Sequence, residues 1–224
     1  MSLIDFSIEE RGWSPVSISI AVRSIGACYG ARYRPDTRLI TGIGLFVVTP
    51  DPEHGCAFTA DACCLTEGDD VASLLDFLEL HLPDQGAVIS WHNWGSVPWR
   101  LRAVADPARH PHISAAALDT AGRWRDMPRG HTWHRRQARA AALPCLCGPA
   151  VRIHECAARV PAVLLPDPVT SAIELADEAI AGWQIWSRHF GDFDDTTHPA
   201  QAALRALDNG VLRSAQQADP PPHP

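Results

Sequence analysis

Gly86–Ala103, GAVISWHNWGSVPWRLRA, is the stretch on which the fold turns. Ala87 to Trp91 is a short apolar run of strand length, and Pro98 to Val104 has helical spacing with a proline in its first turn, where the missing N–H goes unused. The strand therefore delivers His92 and Asn93 at its C-terminal end, a few residues before a helix begins. In an open α/β sheet that edge is where ligands bind, because side chains there project into a crevice while the rest of the strand is buried.

Working outward, Val16 to Val22 alternates serine with branched residues and reads as a strand. Arg38 to Val48 reads as a second. The turn residues Pro50, Asp51, Pro52 and Gly55 then lead into a third, Cys56 to Leu65, as a hairpin. Cys63 and Cys64 are neighbours on that strand, so they point to opposite faces. Asp69 to His81 places Val71, Leu74, Leu75 and Leu78 at helical spacing. Downstream, Pro111 to Ala115 reads as a fifth strand, Arg135 to Leu143 as a short helix, and proline-rich Val160 to Pro168 as a loop. Pro168 to Phe190 is a long helix with Ile173, Ala176, Asp177, Ile180, Trp183 and Gln184 on one stripe. Pro199 to Ala215 is a last amphipathic helix. The expectation is one α/β domain over 1–215 and a disordered tail over 216–224. Its mixed sheet has about five strands, the first three antiparallel, with helices on both faces and Val22, Val48, Leu75, Ile89 and Ile180 buried.

The chain has 224 residues, 46% of them hydrophobic, which is enough for a full core. Met1 to Glu10 lacks the basic and apolar pattern of an export signal, and no apolar run approaches the roughly 18 residues that cross a bilayer. Seven cysteines, an odd number, argue against a disulfide framework. A cytoplasmic protein with no membrane association is the expectation. All 19 basic residues are arginine, in a chain of net charge −7. The charge is segregated, with eleven arginines against four acids between Val97 and Val160. A basic middle of this kind can present one positive face to a phosphate backbone or pair with acids elsewhere.

Three further clusters bear on function. Cys145, Cys147, His154 and Cys156 carry soft donors suited to zinc, although a C-x-C pair is closer than the usual spacing of two to four residues; buried thiols are the alternative. His131, Trp133, His134, Arg135 and Arg136 combine rings and guanidinium groups that can stack a base and grip phosphate. Trp91, Trp94 and Trp99, among eight tryptophans in all, border the crevice and suit either core packing or a partner protein. No phosphate-binding glycine loop or nucleophile elbow is present.

In their order, these segments resemble the DEDD 3'-5' exonuclease superfamily, and within it the predicted exonucleases similar to the nuclease domain of B-family polymerases. Trp91-His92-Asn93 with Pro98–Ala103 is similar to the second motif, His112–Asp119 to the segment closed by Asp, and Ala172–Trp186 to the third motif, in which a helical Asp, here Asp177, faces the metals. The resemblance covers roughly Val16 to Phe190 and implies a ribonuclease-H-like fold. It also implies two Mg or Mn ions about 3.5–4 Å apart, held by carboxylates, that activate water. The chain departs from that pattern. The first strand's Asp-x-Glu is absent from Ile18–Ser24, where Val22 and Arg23 stand, and the second motif's Asp falls on Ser96 or Val97. Asp177 and Asp119 are the residual acids. The resemblance therefore implies a degenerate active site that works by binding single-stranded nucleic acid or a partner protein, through His92, Asn93, Arg100, Arg102, Arg135 and Arg136, with no cofactor. Two alternatives stay open: an active metal-dependent exonuclease with relocated acids, Asp5 and Glu9, and a zinc-stabilised interaction module.

Overall fold

Serine and isoleucine alternate through residues 17–20, and the two sets of side chains face opposite sides of a sheet centred on this strand, β1 (Ser17–Ile25). The computed structural model describes residues 12–25, 28–29, 32–33, 39–53, 55–92, 97–120, 122–128, 167–188, 198–208 and 212–214. After β1, the two-residue strands β2 (Cys28–Tyr29) and β3 (Arg32–Tyr33) pair with each other. Then come β4 (Leu39–Asp51), β5 (Gly55–Cys64), α1 (Val71–His81), β6 (Ala87–His92), α2 (Val97–Val104) and α3 (Pro111–Leu118). They are followed by β7 (Trp124–Pro128), α4 (Pro168–Arg188), α5 (Pro199–Asp208) and β8 (Leu212–Ser214).

Among the described residues the main sheet has six strands, in the order β7-β6-β1-β4-β5-β8. β4 is antiparallel to both neighbours, while β6 is parallel to β1, β7 to β6 and β8 to β5. β4 is thus the single reversed strand. The β4–β5 hairpin closes where Asp51 Oδ1 accepts the Glu53 N–H at 2.8 Å and Gly55 takes a φ of +78°, which a side chain would resist.

Helices cover both faces. On one, Ile18, Ile20, Ile43, Leu45 and Val88 meet α1 through Leu74, Leu75 and Leu78, α2 through Leu101 and α3 through Ile113. On the other, Phe46, Val48, Phe58 and Ile89 meet α4 and α5. There Phe46 and Phe58 stack at 5.8 Å, and Trp183 sets its edge against both rings. α4 lies close enough to the sheet that a Cβ on Gly44 would overlap the Leu175 backbone, and one on Gly42 would come within 2.7 Å of Leu175 Cδ1.

Four expectations need correction. Pro111 to Ala115 is not a strand; it opens helix α3, with Pro111 in the first turn and the Glu79 carboxylate accepting the His112 and Ile113 N–H groups at 2.7 and 3.0 Å. The fifth strand is instead β7, which carries Arg125 and Asp126 and shows no alternation of apolar residues. The last helix stops at Asp208, and Leu212–Ser214 joins the sheet as its sixth strand. The buried stripe of α4 is Ser171, Leu175, Ala179, Gly182, Trp183 and Trp186, which leaves Ile173 and Asp177 exposed. Val48, Leu75 and Ile89 are buried as expected, whereas Val22 and Ile180 are half-buried. The expected helix at 135–143, all but the last two residues of the loop at 160–168, and the tail at 216–224 lie outside the described residues. No helix among the described residues is long and apolar enough to cross a membrane.

Candidate functional site

Because β1 and β6 are parallel, their C-terminal ends share one edge of the sheet. Near that end the β1–β4 ladder is irregular: Arg23 pairs with Gly42 and Ser24 with Ile40, leaving Thr41 as an extra residue on β4. α4 crosses the same point, with Leu175 over Gly42 and Gly44, and then runs back along β1 until the Trp183 indole donates to Ser17 Oγ at 3.0 Å.

This arrangement brings together side chains from three elements, β1, α4 and β5. Arg23 is the only charged residue of β1; its side chain is 8% exposed, and Nη2 donates to Glu174 Oε2 at 2.6 Å. Glu174 is 47% exposed. Among the described residues, Arg23 Nε is buried without a hydrogen-bond partner, as is Thr41 Oγ1 in the β4 bulge. Cys64 lies beside Gly42, its sulfur 3.0 Å from where a Cβ on Gly42 would be. Burial pushes the Cys64 thiol up, and the Arg23 charge pulls it partly back. Burial, followed by the nearby Asp69 and Asp61, likewise raises Cys63, which faces the other side of the sheet. Both thiols are therefore protonated at neutral pH and poor nucleophiles. A buried guanidinium with an unused donor is suited to receiving an oxyanion.

The residues singled out from sequence are distributed differently. Asp177 is exposed on α4, three positions beyond Glu174. Asp119 caps the C-terminus of α3 and accepts the Gly122 N–H at 2.9 Å in the turn that starts β7. Since β7 runs parallel to β6 and β1, Asp119 sits at the opposite edge of the sheet, so Asp119 and Asp177 do not form one site. His92 ends β6 at the crevice edge, opposite Pro128. Arg100 is half-buried and Arg102 exposed on α2, where Trp99 is 55% exposed. Asn93, Trp94, Arg135, Arg136, the Cys145–Cys156 donors, Asp5 and Glu9 lie outside the described residues. The sequence reading missed Glu174, although it is an acid one turn before Asp177 on the same helix. Comparison of the chain with family models, with curated proteins and with solved structures gives no match.

Proposed function

We propose that this protein binds single-stranded nucleic acid in the cytoplasm, on a ribonuclease-H-like exonuclease scaffold that has lost its metal chemistry. The strand order supports the scaffold: setting aside the small β2–β3 pair and the edge strand β8, the sheet runs third-second-first-fourth-fifth with only the second strand reversed. The observation that carries the functional reading is the Arg23–Glu174 pair. At the strand end where the resemblance calls for carboxylates, the Arg23 guanidinium pairs with the Glu174 carboxylate at 2.6 Å, a combination that does not fit a divalent cation.

The test is a 3'-labelled oligonucleotide with Mg or Mn, on which the protein is expected to leave length unchanged. Metal-dependent shortening abolished by Asp177→Asn would overturn the reading in favour of relocated acids. Binding itself is expected at low salt and falls with salt, at a slope of about −0.7 per phosphate contact on single strands. Replacing both Arg135 and Arg136 with Ala is expected to flatten that slope by about one to two units. The exposure of Trp99 favours a second reading, a protein partner docked on α2. Absence of any oligonucleotide binding, together with a partner lost in Trp99→Ala, would favour it.

A further inference from the structure

Two ion pairs in this molecule use the same side of an arginine and use it differently. At Arg109 both legs of the fork are occupied: Nε donates to Asp76 Oδ1 at 2.8 Å, and Nη2 donates to Oδ2. At Arg23 only Nη2 is occupied, by Glu174, while Nε is buried and idle. An idle buried donor forgoes a hydrogen bond without regaining one from water. Glu174 is thus an incomplete occupant of a preformed fork, and being half-exposed on the first turns of α4 it is the partner free to swing into solvent. A second idle polar atom, Thr41 Oγ1, sits in the bulge of the neighbouring strand.

We propose that Glu174 is a stand-in anion: a phosphate oxyanion of the ligand displaces it from Arg23 and engages both Nε–H and Nη2–H, so that the pair acts as a built-in competitor for the site. This rests on the nucleic-acid reading for the source of the phosphate, but its chemistry requires only a two-oxygen anion. Planar two-point recognition of phosphate is the property in which arginine differs from lysine. Removing the competitor is therefore expected to strengthen binding, and removing the fork to weaken it.

The experiment measures the anisotropy of a fluorescein-labelled fifteen-nucleotide oligothymidylate and, in parallel, the calorimetric binding of inorganic phosphate, for the full chain and three variants. Glu174→Gln keeps the size of the side chain and removes its charge; it is expected to tighten oligonucleotide binding at least threefold. Arg23→Lys keeps the charge and loses the fork, and is expected to weaken binding at least fivefold. In Arg23→Lys with Glu174→Gln the gain from the glutamate change is expected to vanish, which a general change in surface charge would not produce. Because Arg23 is buried, a matching thermal midpoint and near-UV spectrum qualify the lysine variants; Glu174→Gln, at an exposed position, decides the matter if they misfold. Oligonucleotide binding that is unchanged or weakened in Glu174→Gln overturns the stand-in role and leaves the nucleic-acid reading intact. Tightened inorganic phosphate binding without oligonucleotide binding keeps the stand-in role and overturns that reading. Binding of neither probe by the parent chain or by Glu174→Gln overturns both.

Discussion

Trp183 and Trp124 each donate their indole N–H to a serine within the sheet, Ser17 on one face and Ser90 on the other, at 3.0 and 2.7 Å. Both serines are fully buried, and truncating either leaves an indole donor without that acceptor. Ser17→Ala and Ser90→Ala are each expected to lower unfolding free energy by about 1–3 kcal/mol, measured by urea titration. A larger loss belongs to Gly44, where any Cβ must displace the backbone of α4 at Leu175. Gly44→Ala is expected to cost about 3 kcal/mol, the upper end for overpacking, in the same assay. The alternation that makes Ser17 a strand residue was visible in the sequence; its partner, 166 positions away, was not. The same holds for Arg23: its place as the one charged residue of an apolar strand was legible, but the pairing with Glu174 depends on how α4 is rotated. Leu175 fixes that rotation by filling the space left by two glycines, which a helical stripe drawn from hydrophobicity alone does not register.

Besides their apolar contacts, α1 and the start of α3 are joined by a polar network. Asp76 on α1 takes the Arg109 fork and a hydrogen bond from buried His110, whose other ring nitrogen accepts the Asp106 N–H. Glu79, one turn further along α1, caps α3 and also meets His112 at 2.9 Å. Glu79→Ala is expected to fray α3 and cost about 1 kcal/mol, as the loss of a helix cap does, with a fall in helical circular dichroism. The hydrogen bond from Arg109, supported by His110, holds the Asp76 carboxyl below the usual carboxylate range. A carboxyl depressed in the folded state stabilises the fold above its unfolded value, near pH 4, and ceases to do so as the pH falls through the folded value. The thermal midpoint of Asp76→Asn is therefore expected to lie below that of the parent at pH 7, with the gap closing under acid. This network also shows why α3 was misread as a strand. Its eight residues carry little amphipathic signal, and the group that starts the helix belongs to another element.

At the scale of the whole sheet, the hairpin and the strand–helix alternation were readable because apolar runs and turn residues coincide there. The edges were not. β7 is five residues with two charges, and β8 is three residues held by register with Phe58–Ala60 rather than by any pattern of its own. Deleting residues 212–224 is expected to bare that stretch of β5 and promote self-association, seen as a concentration-dependent increase in light-scattering mass. The two-faced construction also has a consequence in time. Every element of the first core is present once residue 124 has been synthesised, whereas the second core needs α4 and α5. A growing chain therefore carries Phe46, Phe58 and Ile89 bare for some seconds at roughly 5–20 residues per second, the interval in which an emerging sheet is most exposed to wrong partners. A chain stopped at Arg129 should accordingly be partly folded and bind a hydrophobic-surface dye that the full chain excludes.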